Sequence, residues 1–528
     1  MSTSPDATAA TATSGILGWI ERVGNRLPDP VVLFLWLVGA LVLISVLAAT
    51  VGWSAIHPTE VDPETGAKKV IEATSLLSPA NIAKLWVDMP KTFTHFHPLG
   101  YVLVVMLGAG VAERTGLFGT AMRASVRGAS PRLLTPIVAL VAMMGNLAAD
   151  AAYVVLIPLA AVIYHAAGRH PVAGIAASFA GVSGGFSANL LPGQLDALLF
   201  GITEAAVETV FGDFQANIAG NWYFIAAMLF IFLPVIWYVT DRIIEPRLGT
   251  YVPAGIGTDP GERDRPLADN ERRGLRHAGL AILFVIGLWL FFTLGPGTPL
   301  IDEEGTPESR LTPLYQSLVA GFFLLFLLSG WAYGRATGVI GNHRDLVKMM
   351  SDSMGDMAYY LVLAFAAAHF VAMFGWSNLG LILAVHGADG LRAANLPAPV
   401  LLAAIVLLTA ALNLFIGSAS AKWALLAPVL VPMLMLLGIS AEMTTAAYRV
   451  GDGATNIITP LMVYFPLILI FCQRWQPNFG LGSLAATMLP YSIGLLVSGI
   501  ALVIGWVALD LPLGPGASVY IPLPTTAP

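Results

Sequence analysis

Apolar runs dominate this chain, and their lengths sort them into two kinds. Stretches such as "VVLFLWLVGALVLISVLAATVGW" and "MLPYSIGLLVSGIALVIGWVAL" reach the ~20 apolar residues that a helix needs to cross a bilayer core. Spans are predicted near 31 to 52, 98 to 114, 171 to 205, 221 to 240, 277 to 294, 313 to 334, 353 to 386, 443 to 472 and 484 to 509. Two further blocks, 132 to 168 and 397 to 438, are too long for one crossing and too short for two comfortable ones, and each has polar residues near its middle. Half-helices that enter and return on one side, with a polar tip buried in protein, satisfy that pattern. The expected fold class is therefore an all-α polytopic membrane protein with about nine transmembrane helices and two re-entrant helical hairpins.

Charge placement orients these spans, because cytoplasmic loops hold the excess of Lys and Arg. Arg114, Arg123, Arg127 and Arg132 precede the first hairpin block and Arg169 follows it, so both of its ends are expected in the cytoplasm, whereas the second block has few cations at either end. The loop 241 to 276 carries Arg242, Arg247, Arg263, Arg265, Arg272, Arg273 and Arg276, and the acidic "IDEEGTPES" follows in the next loop. An odd number of spans then leaves the N-terminus inside and the C-terminus outside, with one hairpin dipping from each face. This is inverted topology. It divides the chain into an N-terminal tail and interfacial segment (1–30), a first repeat (31–240), a cytoplasmic loop (241–276), a second repeat (277–509) and a C-terminal tail (510–528).

Composition agrees with a membrane chain: 57% of the residues are hydrophobic and 11% charged, with mean hydropathy +0.77. The net charge of −6 is spread over loops of both signs and points to no nucleic-acid partner, and the single cysteine, Cys472, excludes an internal disulfide framework. The opening "MSTSPDATAATA" reads as a flexible tail without the basic start or cleavage site of a signal peptide. No phosphate-binding loop and no H-E-x-x-H pattern occurs, so neither ATP hydrolysis nor zinc proteolysis has a motif, and no catalytic residues or organic cofactor are expected.

Inverted topology also predicts weak internal repetition. The first hairpin reads "GNLAADAAYVVLIP", with Asp150, Tyr153 and Pro158; the second reads "GSASAKWALLAP", with Ser420, Trp423 and Pro428 at the same spacing. The spans that follow match as well: "GVSGGFSANLLP" sets Ser187 and Asn189 before Pro192, and "RVGDGATNIITP" sets Thr455 and Asn456 before Pro460, with a one-residue offset. Glycine pairs and a downstream proline are expected to unwind each span near the bilayer midplane and free carbonyls to face inward. Such carbonyls with Asn, Asp, Ser and Thr oxygens suit a dehydrated Na⁺, while half-helix N-termini attract an anion. Candidate sodium ligands are Asn146, Asp150, Ser187 and Asn189 in one half, and Ser418, Ser420, Thr455 and Asn456 in the other.

Charged residues in these apolar runs are the strongest functional signal, because intramembrane charge is costly. Arg449 is suited to gripping a substrate carboxylate, with Asp452, one turn away, orienting the guanidinium; as a purely structural alternative, the two simply neutralise each other. Asp196 has no cation close in sequence and is read as a substrate contact or proton carrier. Lys422 either snorkels or pairs with a nearby acid, Trp423 either packs or stacks on an aromatic ligand, and His369 is expected to hydrogen-bond a neighbouring helix.

Taken together, "GSASAKWALLAPVLVPM", "AAYRVGDGATNIITPLM" and "SANLLPGQLDALLFGITEAA" resemble the p-aminobenzoyl-glutamate transporter (AbgT) family, over nearly the whole chain. The resemblance implies a homodimer of nine-span subunits in the bacterial inner membrane, an ion-coupled elevator transporter with sodium or a proton as coupling ion. It further implies import of p-aminobenzoyl-glutamate or export of sulfonamide antimetabolites. Carried over by motif, the substrate positions are Asp196, Asn413, Ser420, Trp423, Arg449, Asp452 and Pro460. One position departs: Ala441 stands where the family pattern has a proline, and a helix with a looser entry is expected there. Two rivals carry other chemistry. A channel would also need polar breaks, but hairpins from opposite faces suit alternating access. An intramembrane aspartyl protease is suggested by "VGDG", yet Arg449 beside it would hold Asp452 ionised instead of letting a catalytic pair share a proton.

Overall fold

Proline sits in the first turn of many helices, where its missing N–H costs nothing and its fixed φ is already helical: Pro79, Pro98, Pro158, Pro171, Pro399 and Pro466 each open one. The computed structural model describes residues 30 to 522 apart from 62–67, 127–132, 149–151, 212–216, 250–266, 295–296, 304–309, 311, 460–461 and 463. Two expected site residues, Asp150 and Pro460, lie outside the described residues.

Helix α1 (Pro30–Thr50) leads into an antiparallel hairpin of β1 (Ser54–Val61) and β2 (Lys68–Glu72), with Ser54 opposite Glu72. Then come α2 (Pro79–Thr94), α3 (His97–Arg114) and α4 (Leu117–Val126). The first hairpin block is α5 (Leu134–Met144), a 3-10 turn (Gly145–Ala148), a π turn (Ala152–Leu156) and α6 (Ile157–Ala166). Next, α7 (Pro171–Phe179) passes through a π turn (Ala180–Gly184) into irregular backbone, and α8 (Gln194–Phe211) resumes the helix. After α9 (Trp222–Tyr238), a third π turn (Val239–Ile244) and the short α10 (Glu245–Leu248) end the first half.

The second half holds α11 (Asp269–Leu294), α12 (Thr312–Gln316), α13 (Leu318–Thr337), α14 (His343–Asp356), α15 (Ala358–Trp376) and α16 (Leu379–Ala394). Its hairpin block is α17 (Ala398–Asn413) and α18 (Ala419–Met435), followed by α19 (Ala441–Thr455), α20 (Phe465–Trp475) and α21 (Leu481–Ala508). Among the described residues, seven helical stretches are long and apolar enough to cross a membrane, whereas both legs of each hairpin block are shorter. The chain is thus an all-α, multi-pass membrane protein, with one small β-hairpin among the described residues. Large apolar side chains project outward from α1 (Leu35, Trp36, Leu43, Leu47) and α11 (Leu280, Leu283, Phe284, Phe291), the arrangement lipid rewards and water penalises.

Several sequence expectations shift. The apolar run 353 to 386 takes in the end of α14 and then two helices, because Asn378 takes a left-handed φ of 59° after Ser377 and turns the chain between α15 and α16. The β-hairpin and α2 were not anticipated; β1 has little of the alternation that marks a strand. Ala441 does not loosen the start of α19: the Ser440 hydroxyl accepts the Met443 N–H at 3.1 Å and donates to the Ser518 carbonyl at 2.7 Å, while the Ser440 amide reaches the Val519 carbonyl at 2.9 Å. The terminal segment therefore straps the entry. It is bound on its other side by Tyr223 and Phe224, whose amides both donate to the Leu513 carbonyl.

Buried apolar residues form two large clusters, one around the first hairpin block, α9, α19 and α21, the other around α1, α15, α18 and the middle of α8. Helices α3 and α13 cross at small residues: a Cβ on Gly330 would lie 2.6 Å from the Ala112 backbone nitrogen. Gly330→Ala should accordingly lower the melting temperature in detergent by an amount corresponding to about 1–3 kcal/mol of overpacking. Gly39→Ala, with nothing within 4 Å of the added carbon, should leave it unchanged or slightly raised. Equal melting of the two variants would refute this packing account.

Candidate functional site

Helix interruption is what brings polar groups into the middle of the molecule. The helix formed by α19 ends at Thr455 and the π turn after α7 ends at Gly184; these ends touch, since a Cβ on Gly453 would lie 2.9 Å from the Gly184 carbonyl oxygen. Only glycine permits that approach.

Asn413, the last residue of α17, holds the junction. Its Nδ2 donates to the Asp452 carbonyl (2.7 Å), the Asn456 Oδ1 (2.8 Å) and the Thr455 hydroxyl (2.9 Å). The Thr455 hydroxyl in turn donates toward the Ala410 and Gly451 carbonyls, and Asn456 Nδ2 reaches the Ser183 carbonyl at 3.4 Å. On the other side, Asn413 Oδ1 accepts from Lys422 Nζ at 2.5 Å. Lys422 is fully buried and forms an ion pair with Asp452 Oδ1 at 2.5 Å. Its ammonium lies 5.9 Å from the centre of the Tyr448 ring.

A second buried ion pair links the two halves of the chain. Arg449 Nη2 lies 2.7 Å from Asp196 Oδ1, and Asp196 Oδ2 accepts the Gly193 N–H at 2.7 Å in the first turn of α8. The side chains are 4% and 7% exposed, so both charges are withdrawn from solvent. Arg449 Nε is buried without a hydrogen-bond partner. The expected pairing of Arg449 with Asp452 is thus corrected. Asp452 is engaged by Lys422, and the cation that Asp196 lacked in sequence comes from α19. The i to i+3 spacing of Arg449 and Asp452 sets them on adjacent turns, but tertiary partners on α8 and α18 compete for each.

Of the two readings of Trp423, packing is the one seen in this conformation. Its ring is fully buried, stacked on Tyr448 at 4.4 Å between ring centres, and its Nε1 donates to the Thr203 hydroxyl at 2.9 Å. In this conformation it joins α18 to α8 and α19. His369 does bond through Nδ1, to the Phe365 carbonyl of its own helix at 2.7 Å and not to a neighbouring helix.

The candidate sodium ligands divide. Asn146 donates to the Met143 and Gly185 carbonyls, and Asn189 is buried beside the first break, its Oδ1 3.5 Å from the Leu191 N–H. Ser187 and its neighbour Ser183 are buried with unpartnered hydroxyls, a donor set that fits a small cation together with nearby carbonyls. In the second half, Ser418 caps α18 by accepting the Ala421 N–H at 3.3 Å and lies 3.2 Å from the Ser420 hydroxyl; both serines are partly exposed. Thr455 and Asn456 already serve Asn413. There the Lys422 ammonium already supplies a positive charge to Asn413 and Asp452.

Several residues were missed by sequence reasoning. A small cavity is lined by Asp196, Phe200 and Thr203 of α8, by Asn217, Ile218 and Asn221, and by Glu442, Thr445 and Arg449 of α19. The last three follow an i, i+3, i+7 pattern, a polar stripe within an otherwise apolar segment that could have been found. About 20 Å³ is open to a water-sized sphere, room for roughly one water. The protease rival loses its chemistry: Asp196 and Asp452 are each held by a cation and share no proton.

Comparison with known proteins bears on the whole chain. The model of the AbgT putative transporter family matches residues 15–521. The p-aminobenzoyl-glutamate transport protein of Escherichia coli (strain K12) is 34% identical over 509 residues, covering 96% of this chain and 97% of that protein. Among solved structures, the Alcanivorax borkumensis YdaH transporter, reported to have an unusual topology, superposes with a TM-score of 0.84 at 42% identity, covering 92% of this chain and 100% of that one. Neisseria gonorrhoeae MtrF, assigned to a class of antimetabolite efflux pumps, superposes with a TM-score of 0.86 at 40% identity, covering 95% and 100% respectively.

Removing one partner of a buried ion pair strands the other, which typically costs about 3–5 kcal/mol. Asp452→Leu should therefore destabilise the protein by that order in thermal unfolding, and Lys422→Met in the same background should recover a large part of the loss. A double variant that melts no higher than the single one would show that the Lys422–Asp452 contact does not carry stability.

Proposed function

The chain belongs to the AbgT putative transporter family, and we propose that this membrane transporter is an ion-coupled secondary transporter working by elevator-like alternating access. Its cargo is p-aminobenzoyl-glutamate-type folate catabolites, exported sulfonamide antimetabolites, or both. The relative from Escherichia coli supports the first cargo and MtrF the second. Sodium is the favoured coupling ion, drawn to the Ser183 and Ser187 hydroxyls at the first break, with a proton as the alternative. The working unit is a homodimer in the inner membrane, with the N-terminus cytoplasmic and the C-terminus periplasmic; the arginine-rich segment after α9 supports that orientation.

The observation that carries this reading is the Arg449–Asp196 pair on the wall of the small cavity between α8 and α19. A substrate carboxylate entering there meets a guanidinium with one buried N–H still free, Arg449 Nε, and can be held by two parallel hydrogen bonds as the hold of Asp196 relaxes. Because Asp196 belongs to α8 and Arg449 to α19, such an exchange of partners changes what binds the two halves together. Substrate occupancy is thereby coupled to their relative position. Asp452 is held by Lys422 in a neighbouring network, where it keeps the second break ordered.

In proteoliposomes, uptake or efflux of radiolabelled p-aminobenzoyl-glutamate should follow an imposed Na⁺ gradient at fixed pH and membrane potential. Indifference to Na⁺ with response to a proton gradient would replace sodium by the proton, and no flux under either would overturn the transport reading for this substrate. Arg449→Lys keeps the charge but loses the planar fork, so it should weaken calorimetric binding by about 1.5–3 kcal/mol, the worth of a hydrogen bond to a charged group. Unchanged affinity with a lowered melting temperature would make Arg449 structural only.

A further inference from the structure

The cavity between α8 and α19 holds three charged groups among the described residues: Asp196, Arg449 and Glu442. Arg449 and Asp196 neutralise each other at 2.7 Å. Glu442 forms no ion pair among the described residues. It enters from the second residue of α19, and its side chain packs so closely on the 217–221 segment that a Cβ on Gly220 would lie 2.7 Å from Glu442 Cγ. The groups facing it are neutral or already paired. From α8 come Phe200, Thr203 and the paired Asp196; from the 217–221 segment come Asn217, Ile218 and Asn221; from α19 itself come Thr445 and the paired Arg449. Glu204, also on α8, is buried and accepts from the Tyr101 hydroxyl at 3.3 Å. The terminal strap contributes Ala517, which carries no charge.

Ionised, this cavity therefore has one negative charge in excess. A carboxylate arriving at Arg449 raises the excess to two beside the partly buried Glu442, where charges are screened less than in bulk water. We infer that Glu442 is a proton-binding group of the transport site, and that its protonation is what allows an anionic substrate to share the cavity with Asp196 and Arg449. A glutamate in a first helical turn is ordinarily accounted for by the helix dipole alone. Here it also projects into the cavity that contains the Arg449–Asp196 pair, and the dipole by itself gives it no reason to face that space. On the proposed orientation, the start of α19 and the terminal strap lie on the periplasmic side, so the proton would be exchanged with the periplasm.

This inference rests on the transport reading for its substrate but has a readout without one. Infrared difference spectra between acid and alkaline pH, on the protein in bilayers and free of substrate, should contain a protonated-carboxyl band that Glu442→Gln abolishes and Glu442→Asp retains. Calorimetric binding of p-aminobenzoyl-glutamate in buffers of different ionisation heat should then report uptake of about one proton, with affinity falling about tenfold per pH unit above the titration of Glu442. Glu442→Gln should bind with no proton uptake and a flat pH profile. Persistence of the infrared band in Glu442→Gln, or of its proton uptake on binding, would overturn the inference. Failure of the unmodified protein to bind p-aminobenzoyl-glutamate at any pH would instead sink the substrate assignment, with the infrared result still deciding Glu442.

Discussion

A helix broken inside a membrane protein leaves backbone carbonyls and amides that lipid cannot satisfy, and the rest of this structure is arranged around that constraint. Asn413 meets much of it at one point. One amide nitrogen serves a freed backbone carbonyl, a threonine hydroxyl and an asparagine side chain, while its oxygen accepts a hydrogen bond from a buried lysine. Lys422 in turn needs an anion, which Asp452 supplies from the helix whose end Asn413 is holding. Hairpin, break and charge are thus satisfied by one another, and none could be kept alone without a buried group left unpaired.

The Arg449–Asp196 pair differs in kind. It joins the interrupted helix of the first half to that of the second, and it lines the small cavity between α8 and α19, whose lining does not include Lys422 or Asp452. Buried ion pairs are weak evidence for stability, since desolvation cancels most of the attraction, but they are well suited to a contact that must be exchanged. With one guanidinium N–H free, Arg449 has an unfilled position that a ligand can take. Beside this pair, Trp423, Tyr448 and Thr203 fix α18 against α8 and α19.

At one end of the first hairpin block, Arg169 performs a comparable joining role outside the site. Placed between α6 and α7, it binds Asp241 and Glu245 of the π turn and α10, donates to Thr135, and lies over the Tyr164 ring at 4.6 Å. At the opposite end, the terminal strap ties Ser440 and Gly438 to the 219–224 turn. The first fastening works by charge and the second mainly by backbone hydrogen bonds.

The sequence by itself determined the class of protein, the two kinds of apolar run, the helix breaks and the residue types gathered at them. These follow from local rules: run length against bilayer thickness, glycine and proline against helix continuity, and the cost of charge in lipid. Asp196, Arg449, Asp452, Thr455 and Asn456 were legible on that basis, and Asn413 only through the family resemblance. Which charge pairs with which was not. Arg449 and Asp452 are neighbours along one helix, yet each takes a partner brought from a distant part of the chain, because buried ionic contacts are selected by geometry in three dimensions and sequence separation carries no penalty once the chain has folded. The same holds for Trp423, whose ring met Tyr448, for the turn at Asn378, and for Glu442, which a first-turn position explains locally but which only the close approach of α8, α19 and the 217–221 segment places in a cavity.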